Sequence, residues 1–519
     1  MQHPYSYYPG RAASWSPEKT ALIEGEKRRT YAEFDARIGR TANALAAMGV
    51  EKGDRVAVLH QNNITFIEQV CGAARAGAVF VPLLGILPET DHAYMVADSG
   101  ARVVLSSGPE TDDRAQALQR LCPAVEHIVV ETGERGREAL LAGASAEAGI
   151  VEGHGGDLAQ ILYTSGTTGE PKGVMHSYAS TQAAMSAWVH LIGMTADDVN
   201  LLSLPISHFG ARVMDSAWCV GATGVLIPGP DPKLSMAAIQ EHRVSNMLLI
   251  PTILAMLLDH PEVDDHDLSS LRFLLYAAAP AAASLVRRAT EKFGPVLHTG
   301  WGQTEAYVIN THLTPAEHEA ALRGAEGRLI SCGREAATNV QLRLVDEDDN
   351  PVPPGAVGEA CIQAPWQAVG YWNRPELTAE RFAGGWLHTR DLLRRDEDGY
   401  YYVVDRKDDM IISGGYNVYP REVEEVLYTS EAVLECAVVS VPDDKWGEAV
   451  KAVVALRPGA AADAAELTAL CKAGLAAFKV PKSIDFVEAL PKTSVGKISR
   501  RETKARYWAD QDRQIGGVA

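Results

Sequence analysis

The segment 163–174 (YTSGTTGEPKGV) combines residue types that can bind a polyphosphate. Its glycines expose backbone N–H groups, its Ser and Thr hydroxyls donate hydrogen bonds, and Lys172 supplies a countercharge. It is not a Walker A loop, because no Gly-Lys-Ser/Thr follows four residues after a glycine. A flexible surface loop of small residues is the alternative. The ordered spacing, directly after the apolar run 158–162 (LAQIL), favours a nucleotide-binding loop.

Further motifs follow this loop or precede it in a fixed order. They are 73–83 (AARAGAVFVPL), 204–210 (LPISHFG), 276–280 (YAAAP), 299–305 (TGWGQTE), 358–359 with 370–371, 386–391 (WLHTRD), 405–416 (DRKDDMIISGGY) and 491–500 (PKTSVGKISR). The series resembles the adenylate-forming (AMP-binding) superfamily over nearly the whole chain. That superfamily includes acyl-CoA synthetases, peptide-synthetase adenylation domains and firefly-type luciferases. The branch it resembles is that of the fatty-acid and aryl-acid CoA ligases.

The resemblance implies which residues bind ATP. Those around the pyrophosphate would be Thr164, Ser165, Gly166, Thr167, Thr168 and Lys172. Glu305 and Thr168 would hold a Mg²⁺ ion that bridges the phosphates. The walls of the nucleotide site would be Ala278, Ala279, Pro280, Gly300, Trp301, Gly302, Gln303 and Thr304. Trp301 is expected to stack on adenine, and a core aromatic is the alternative for it.

Ribose binding and catalysis involve residues nearer the C-terminus. Asp391 would accept hydrogen bonds from both ribose hydroxyls, with Arg406 assisting. Lys497 would reach the α-phosphate and the reacting carboxylate during adenylation, as a flexible cation that neutralises developing charge. The predicted catalytic set is Lys497, Thr168, Glu305 and His208.

A hinge is implied at Asp408. The small domain that follows it would rotate after adenylation and bring Gly414, Gly415 and Tyr416 to the acyl-adenylate for transfer to coenzyme A. Arg390 departs from the pattern, because relatives usually carry Gly between the Thr and the Asp of this motif. The Arg390 side chain would either point to solvent or touch a phosphate of ATP or coenzyme A.

The resemblance also places the acid pocket. Its residues would be His208, Phe209, Gly210, Met214, Ala277, Gly302 and Tyr307. His208 would gate the carboxylate entrance or merely pack. The small residues leave room, so an aromatic, phenylpropenoic or medium- to long-chain fatty acid is expected rather than acetate. Arg212 would pair with a second carboxylate of a dicarboxylic acid, or face away from the pocket.

The elements that must position these residues follow an α/β pattern. Apolar runs such as 55–60, 79–83, 103–105, 224–227, 247–250 and 273–276 alternate with helical segments. The sequence predicts a large α/β N-terminal AMP-binding domain over 1–407, with a small β subdomain over 338–403. A smaller, mobile α+β C-terminal domain is predicted over 408–519. Within it, a helix should begin at Pro420 and the Ala-rich stretch 460–469 should be helical.

Composition restricts the partners. The 519-residue chain has 48 Lys and Arg against 67 Asp and Glu, a net charge of −19, which argues against a nucleic-acid partner. Seven scattered cysteines suggest neither a disulfide framework nor a zinc site. The first ten residues show no signal-peptide pattern, and no apolar run approaches the roughly 20 residues that span a bilayer. A cytoplasmic enzyme without an integral membrane segment is expected; a homodimer is common among relatives.

The predicted function is ATP-dependent ligation of a carboxylic acid to coenzyme A through an acyl-adenylate, with release of AMP and pyrophosphate. One alternative is an adenylating enzyme that passes the acyl group to a carrier protein or another nucleophile. Another is a catalytically silent acyl- or nucleotide-binding protein on the same fold. Retention of the charged site residues counts against the silent protein; these are Lys172, Glu305, Asp391, Arg406 and Lys497.

Overall fold

The computed structural model describes residues 3–134, 136–164, 170–279, 281–337, 339–443, 446–492 and 498–508. The chain forms two compact units. The first comprises Met1–Leu342 and Cys361–His388, and the second Arg343–Ala360 and Thr389–Ala519. In the described ranges, every helix is too short or too polar to cross a membrane.

The helices occur throughout the chain. The α-helices are α1 (Pro4–Trp15), α2 (Tyr31–Ala47), α3 (Ile64–Arg75), α4 (Glu89–Ser99), α5 (Pro109–Leu121), α6 (Arg137–Ala142), α7 (Tyr178–Ile192), α8 (Ala211–Val220), α9 (Pro232–His242), α10 (Pro251–Leu258), α11 (Ala283–Phe293), α12 (Pro315–Gly324), α13 (Pro375–Arg381), α14 (Pro420–Leu427), α15 (Ala464–Gly474) and α16 (Arg500–Trp508). Short 3₁₀ helices lie at Thr304–Ala306, Glu326–Ile330, Ala383–Gly385 and Lys407–Asp409.

The strands are mostly short. They are β1 (Thr20–Glu24), β2 (Lys27–Thr30), β3 (Arg55–Leu59), β4 (Val79–Leu83), β5 (Val103–Leu105), β6 (His127–Val129), β7 (Leu158–Thr164), β8 (Lys172–Ser177), β9 (Val199–Leu202), β10 (Thr223–Leu226), β11 (Asn246–Leu249), β12 (Phe273–Tyr276), β13 (Leu297–Thr299), β14 (Thr311–His312), β15 (Arg334–Glu335), β16 (Gln341–Val345), β17 (Val357–Gln363), β18 (Gly370–Tyr371), β19 (Leu387–Arg395), β20 (Tyr401–Arg406), β21 (Ile411–Ser413), β22 (Tyr416–Val418), β23 (Val433–Asp443), β24 (Gly447–Leu456) and β25 (Ser483–Phe486).

The first unit contains two seven-stranded sheets. One has the order β13-β12-β11-β9-β10-β1-β2, and the other β18-β8-β7-β4-β3-β5-β6. Most neighbouring strands are parallel; the antiparallel pairs are β1 with β2, β7 with β8, and β8 with β18. Strands such as β4 are buried along their whole length, as expected for parallel strands covered on both faces. The apolar runs from which the α/β pattern was predicted are the central strands of these sheets.

The second unit is smaller. Most residues of a four-stranded sheet, β16-β17-β19-β20, belong to it, together with a sheet of order β22-β21-β24-β23 in which β25 pairs with β24. The predicted helix at Pro420 is α14, with proline in its first turn. The Ala-rich stretch becomes helical only from Ala464, because Asp463 caps α15 in a capping box with Glu466.

These sheets and helices confirm the α/β fold with a large N-terminal and a smaller C-terminal part. Much of the segment 338–403, predicted as a β subdomain, lies in the second compact unit. The functional domain boundary between residues 407 and 408 stays a prediction.

Candidate active site

Three of the predicted site segments leave one edge of the first sheet. Strands β9, β11, β12 and β13 are parallel neighbours, so their carboxyl ends lie at the same edge. Segment 203–210 follows β9, 277–279 follows β12, and 300–305 follows β13. Tyr276 and Thr299 are register partners, and the Thr299 hydroxyl donates to the Tyr276 carbonyl at 2.7 Å. The carboxyl edge of a parallel sheet is where α/β proteins commonly bind ligands.

The predicted phosphate loop joins two antiparallel strands. Thr164 at the end of β7 and Lys172 at the start of β8 are directly opposite each other. The strand predicted before the loop is therefore confirmed, and the hairpin brings the first and last predicted phosphate ligands together. Four further predicted ligands lie outside the described residues: Ser165, Gly166, Thr167 and Thr168.

His208 connects this hairpin to the sheet edge. Its Nε2 lies 2.9 Å from the Tyr163 carbonyl, and its Nδ1 lies 3.0 Å from the Ser207 hydroxyl. A carbonyl only accepts, so Nε2 carries the hydrogen and Nδ1 accepts from Ser207. Burial lowers the pKa of His208, and Arg212 lowers it further, so the ring is neutral near pH 7. The arrangement holds an uncharged imidazole in one orientation.

Glu305 lies in the 3₁₀ turn that follows the β13 segment. The Tyr371 hydroxyl donates to Glu305 Oε1 at 2.8 Å, and the Ala368 N–H donates to the Glu305 carbonyl at 2.7 Å. His176 Nε2 donates to the neighbouring Thr304 carbonyl at 3.0 Å. The carboxylate is half-buried and fixed by these contacts. An oriented carboxylate oxygen suits Mg²⁺, so this residue fits the predicted metal role.

The glycines of the β13 segment are required by the backbone. A Cβ on Gly300 would lie 2.2 Å from the Thr311 carbonyl oxygen, and one on Gly302 would lie 2.5 Å from that of Val308. Gly210 is similarly confined, with the Leu204 carbonyl oxygen 2.6 Å from its ideal Cβ. Small residues at these positions were expected to leave room in the pocket. At these three positions, close approach of neighbouring backbone explains glycine.

The residues predicted to form the wall of the nucleotide site differ in their exposure. Trp301 is only 7% exposed, as expected for the core-aromatic alternative. Ala278 and Ala279 are exposed at the sheet edge, and Ala278 has a left-handed backbone with φ of 70°. Gln303 and Thr304 continue the β13 segment into the turn that carries Glu305. Pro280 lies outside the described residues, and stacking of adenine on Trp301 stays a prediction.

A small cavity, here called the acid cavity, lies beside the His208 segment. Its lining residues are Tyr5, Phe66, Ile67, Val70, Phe80, Pro82, Gln160, Ile206, Ser207, Arg212, Met214 and Trp218. Met214 was predicted for the acid pocket. Phe209 instead packs edge-to-face on Trp188 of α7, with ring centroids 6.3 Å apart. Ala277 is buried at the end of β12.

Three polar residues around this cavity were not predicted from the sequence: Tyr5, Asp215 and Gln160. Tyr5 of α1 donates to Asp215 Oδ2 at 2.7 Å, across 210 residues of sequence. Gln160 of β7 donates to the Tyr307 hydroxyl. The Arg212 guanidinium lies 4.1 Å from the centroid of the Tyr307 ring. The one signal in the sequence is that a charged pair, Arg212 and Asp215, interrupts the otherwise largely apolar helix α8; it marks the pair but not its partners.

In the second unit, the two predicted ribose ligands are cross-strand neighbours. Asp391 of β19 and Arg406 of β20 are register partners, with Arg406 Nε 3.5 Å from Asp391 Oδ1. The Asp391 side chain is 13% exposed and that of Arg406 is 54% exposed. The strand pair thus presents one carboxylate and one cation side by side; their ribose role stays a prediction.

The predicted hinge and thiolation residues follow directly. Asp408 lies in the 3₁₀ turn after β20 and accepts a hydrogen bond from Arg390. Gly414 and Gly415 form the turn between β21 and β22, with φ of 58° and 83°. Tyr416 is exposed and stacks on Phe478, with ring centroids 4.8 Å apart. Glycine suits both turn positions because left-handed φ is free of strain only without a Cβ.

Lys497 lies outside the described residues, but the chain that follows it is firmly anchored. Arg500 Nη1 lies 2.8 Å from Asp405 Oδ1 and 3.2 Å from Asp409 Oδ2. Its Nη2 lies 2.5 Å from Glu424 Oε2. The Ser499 N–H donates to the Pro491 carbonyl at 2.8 Å. Both ends of the segment that carries Lys497 are therefore held together within the second unit.

Known families and structures are similar to nearly the whole chain. The family model "AMP-binding enzyme" matches residues 10–372, and "AMP-binding enzyme C-terminal domain" matches residues 422–497. Feruloyl-CoA synthase of Amycolatopsis sp. is 38% identical, covering 96% of this chain and 98% of that protein.

A second relative, the medium/long-chain-fatty-acid–CoA ligase FadD8 of Mycobacterium tuberculosis, is 35% identical, covering 96% of this chain and 89% of its own. The solved amide bond synthetase McbA of Marinactinospora thermotolerans superposes with a TM-score of 0.88 at 31% identity, covering 97% of this chain and all (100%) of that one. The chain described here belongs to the AMP-binding enzyme family, in its acyl-CoA synthetase branch.

Proposed function

We propose that the protein ligates an aromatic or phenylpropenoic acid to coenzyme A, consuming ATP and releasing AMP and pyrophosphate. Medium- and long-chain fatty acids are the second substrate class, since one relative carries that name. One observation carries the proposal: segments 203–210, 277–279 and 300–305 meet at one sheet edge, and His208 joins that edge to the phosphate hairpin. An acid and a nucleotide can meet there.

In the first half-reaction, a carboxylate oxygen of the acid attacks the α-phosphorus, and the bond to the β-phosphate breaks. Thr164, Lys172 and the loop hydroxyls hold the departing pyrophosphate, because charge neutralisation is the main requirement of this chemistry. Mg²⁺ held by Glu305 and Thr168 would supply further neutralisation. Lys497 steadies the reacting carboxylate and the α-phosphate.

His208 acts by position. Its neutral ring keeps a hydrogen on Nε2 toward the Tyr163 carbonyl, so it neither carries charge nor serves as a base in the described state. It separates the phosphate hairpin from the acid cavity and orients the carboxylate that enters between them. Replacing it should therefore impair acid binding more than nucleotide binding.

In the second half-reaction, the thiol sulfur of coenzyme A attacks the acyl-adenylate carbonyl, AMP leaves, and the thiol proton is released. Asp391 and Arg406 hold the ribose through both steps. We propose that the domain 408–519 turns at Asp408 between the steps and presents Gly414, Gly415 and Tyr416 to the thioester-forming site. Tyr416 is 58% exposed, so it is accessible to a ligand.

Coenzyme A is the proposed acceptor because both relatives named above are CoA ligases. An amine acceptor is the principal competitor, since the structural neighbour McbA is an amide bond synthetase. A carrier protein is a further alternative, as is a silent binding protein. A cytoplasmic location and a homodimer complete the proposal; light scattering of the purified protein tests the dimer.

The test is acid-dependent exchange of pyrophosphate into ATP over a panel of acids, followed by mass detection of the product. Exchange together with a CoA thioester supports the proposal. Exchange with product formed only on an added amine or carrier protein moves the acceptor to that alternative. No exchange with any acid overturns adenylation altogether. Glu305→Gln should lower exchange by about 100-fold, whereas Glu319→Gln, on the exposed side of α12, should leave it unchanged.

A further inference from the structure

An ion pair is buried beside the acid cavity. Arg212 and Asp215 lie one turn apart on α8, with Arg212 Nη1 3.3 Å from Asp215 Oδ2 and side chains 4% and 2% exposed. Tyr5 donates to Asp215, and Arg212 lies over the Tyr307 ring, as described above. Burying two charges is costly unless their remaining hydrogen bonds are satisfied. This pair therefore requires an explanation beyond stability.

Within the described part of the chain, two atoms of the pair have no hydrogen-bond partner. Among the described residues, nothing accepts from Arg212 Nη1 with hydrogen-bond geometry, and nothing donates to Asp215 Oδ1. A buried polar atom without a partner is unfavourable, because it has lost its hydrogen bonds to water without replacement. An unused donor and an unused acceptor, side by side and nine-tenths buried, are the complement of a ligand group that both donates and accepts.

The pair is connected to the entrance of the acid pocket. Arg212 Nε donates to the His208 carbonyl at 3.2 Å, and Ser207, which bonds to the His208 ring, lines the cavity with Arg212. An acid whose carboxylate lies near His208 would therefore extend its far end toward Arg212. The remaining wall is largely apolar and aromatic, including Phe80 and Trp218, so its chemistry matches that of a ring, for which the small cavity would have to widen.

Charge decides which far end fits. Arg212 is already matched by Asp215, so a second substrate carboxylate would leave an excess negative charge in a buried site. A plain methyl end would leave both unsatisfied atoms without partners. A neutral hydroxyl group donates to the carboxylate and accepts from the guanidinium. A neighbouring ether oxygen would add a second acceptor for Arg212.

We propose that the Arg212–Asp215 pair selects acids with a neutral hydroxyl group at the end distant from the carboxylate, as in hydroxyaryl-propenoic acids. This inference rests on the proposed function and names its substrate class. Asp215 accepts from the substrate hydroxyl, Arg212 donates to it, and Tyr5 holds Asp215 in place. Tyr5 is thus a positioning residue for specificity.

The experiment measures binding of three matched acids by calorimetry, without ATP: cinnamate, 4-hydroxycinnamate and 4-carboxycinnamate. The wild type should bind the hydroxylated acid at least about tenfold more tightly than the other two, because the site leaves polar atoms unpaired without the hydroxyl. Equal affinity for cinnamate and 4-hydroxycinnamate would overturn the proposal. Tighter binding of 4-carboxycinnamate would also overturn it, and would assign Arg212 to a second carboxylate.

Substitutions test whether the hydroxyl preference depends on the Arg212–Asp215 pair. Asp215→Asn should reduce the hydroxyl preference to about twofold or less, and Tyr5→Phe, a milder change, should reduce it part of the way. Asp259→Asn makes the same chemical change at an exposed ion pair and should keep the full preference. An unchanged preference in folded Asp215→Asn would contradict the proposal; if that variant does not fold, an unchanged preference in Tyr5→Phe does so.

Pyrophosphate release distinguishes failure of the hydroxyl selectivity from failure of the ligase activity. If the protein binds the hydroxylated acid selectively but releases pyrophosphate with none of the acids, the selectivity is supported and the ligase function is overturned. If pyrophosphate is released with equal efficiency for all three acids, the ligase function is supported and the selectivity is overturned.

Discussion

Arg390 donates from Nε to Asp408 Oδ1 at 3.0 Å, and its Nη2 makes a second contact to the same oxygen. The Arg390 backbone is left-handed, with φ of 61°, and its N–H donates to Glu359 at 2.9 Å. A left-handed backbone explains why glycine is usual here, since a side chain costs roughly 1–2 kcal/mol in that conformation. Two orientations were expected for the Arg390 side chain, toward solvent or toward a phosphate. In the structure, its guanidinium instead forms an ion pair with Asp408, the predicted hinge residue.

Arg390→Gly should therefore free Asp408 while relieving backbone strain. We expect acyl transfer to coenzyme A to become faster by about two- to fivefold, since a half-exposed ion pair is worth at most about 1 kcal/mol. Adenylation should be unchanged. Single-turnover rates of the two half-reactions measure this. The control is Arg390→Lys, which retains the left-handed backbone strain and loses the two-nitrogen contact to Asp408. If Arg390→Gly changed both half-reactions equally, a hinge role would be contradicted.

Lys497→Ala should abolish formation of the acyl-adenylate and leave transfer from a supplied acyl-adenylate to coenzyme A nearly intact. The reason is that a delivered cation is required only while charge develops on the phosphate. Pyrophosphate exchange and thioester formation report the two steps. Lys492→Ala is the matched control, because Lys492 is paired with Glu435 at 2.6 Å and is predicted to be silent. Loss of both steps in Lys497→Ala would refute the assignment.

Arg500→Met should destabilise the second unit by about 3 kcal/mol, because it leaves three partly buried carboxylates without their cation. Burial already raises the pKa of Asp409, and Arg500 opposes that shift. Chemical denaturation followed by tryptophan fluorescence measures the change. Arg501 is the exposed neighbour of Arg500, so Arg501→Met is the control. Its free energy of unfolding should stay within about 0.5 kcal/mol of the wild type. Equal effects of the two substitutions would deny Arg500 its anchoring role.

Gly300→Ala should lower stability by about 1–3 kcal/mol, because the added methyl meets backbone that cannot move aside easily. ATP affinity should fall as well, since Trp301 and the Glu305 turn follow directly. Thermal unfolding with and without ATP separates the two effects. Gly327→Ala serves as the control, since nothing lies within 4 Å of its ideal Cβ. A fully stable Gly300→Ala protein would show that the close approach is unimportant.

Acid selectivity should depend on pH. Burial raises the pKa of Asp215 to about 6, against the opposing effects of Arg212 and Tyr5. The titratable or charged groups around Asp215 are Arg212, Tyr5, Tyr307, Cys71 and Cys219. Asp215 is ionised above about pH 7 and becomes protonated as the pH falls through about 6, so the hydroxyl preference should be greatest at high pH and decline below 6.

The measurement is the affinity ratio of 4-hydroxycinnamate to cinnamate between pH 5 and 8, because effects common to both acids cancel. A ratio that is flat across this range would exclude ionised Asp215 as the acceptor. The folded pKa lies above the ordinary value, so ionisation of Asp215 costs folding stability as the pH rises from about 4 to 6.

The strands and the site segments could be predicted from the sequence because their signals are local. Apolar runs such as 79–83 encode buried strands, and the glycine–hydroxyl turn after β7 is a contiguous motif. The contact of Tyr5 with Asp215 joins residues 210 positions apart, and no local pattern specifies it. The role of the glycines could not be predicted for a related reason. Position 300 requires glycine because the Thr311 backbone approaches it closely, and that approach is visible only in the folded chain.

Tyr5 belongs to α1, whereas the family-model match begins at residue 10. One lining residue of the acid cavity therefore lies outside the residues that the family model matches. Exchanging α1 between relatives should carry acid preference with it, even when every recognised motif is untouched. Acid preference should therefore be sensitive to changes in α1, and assays are best made with a purification tag at the other end of the chain.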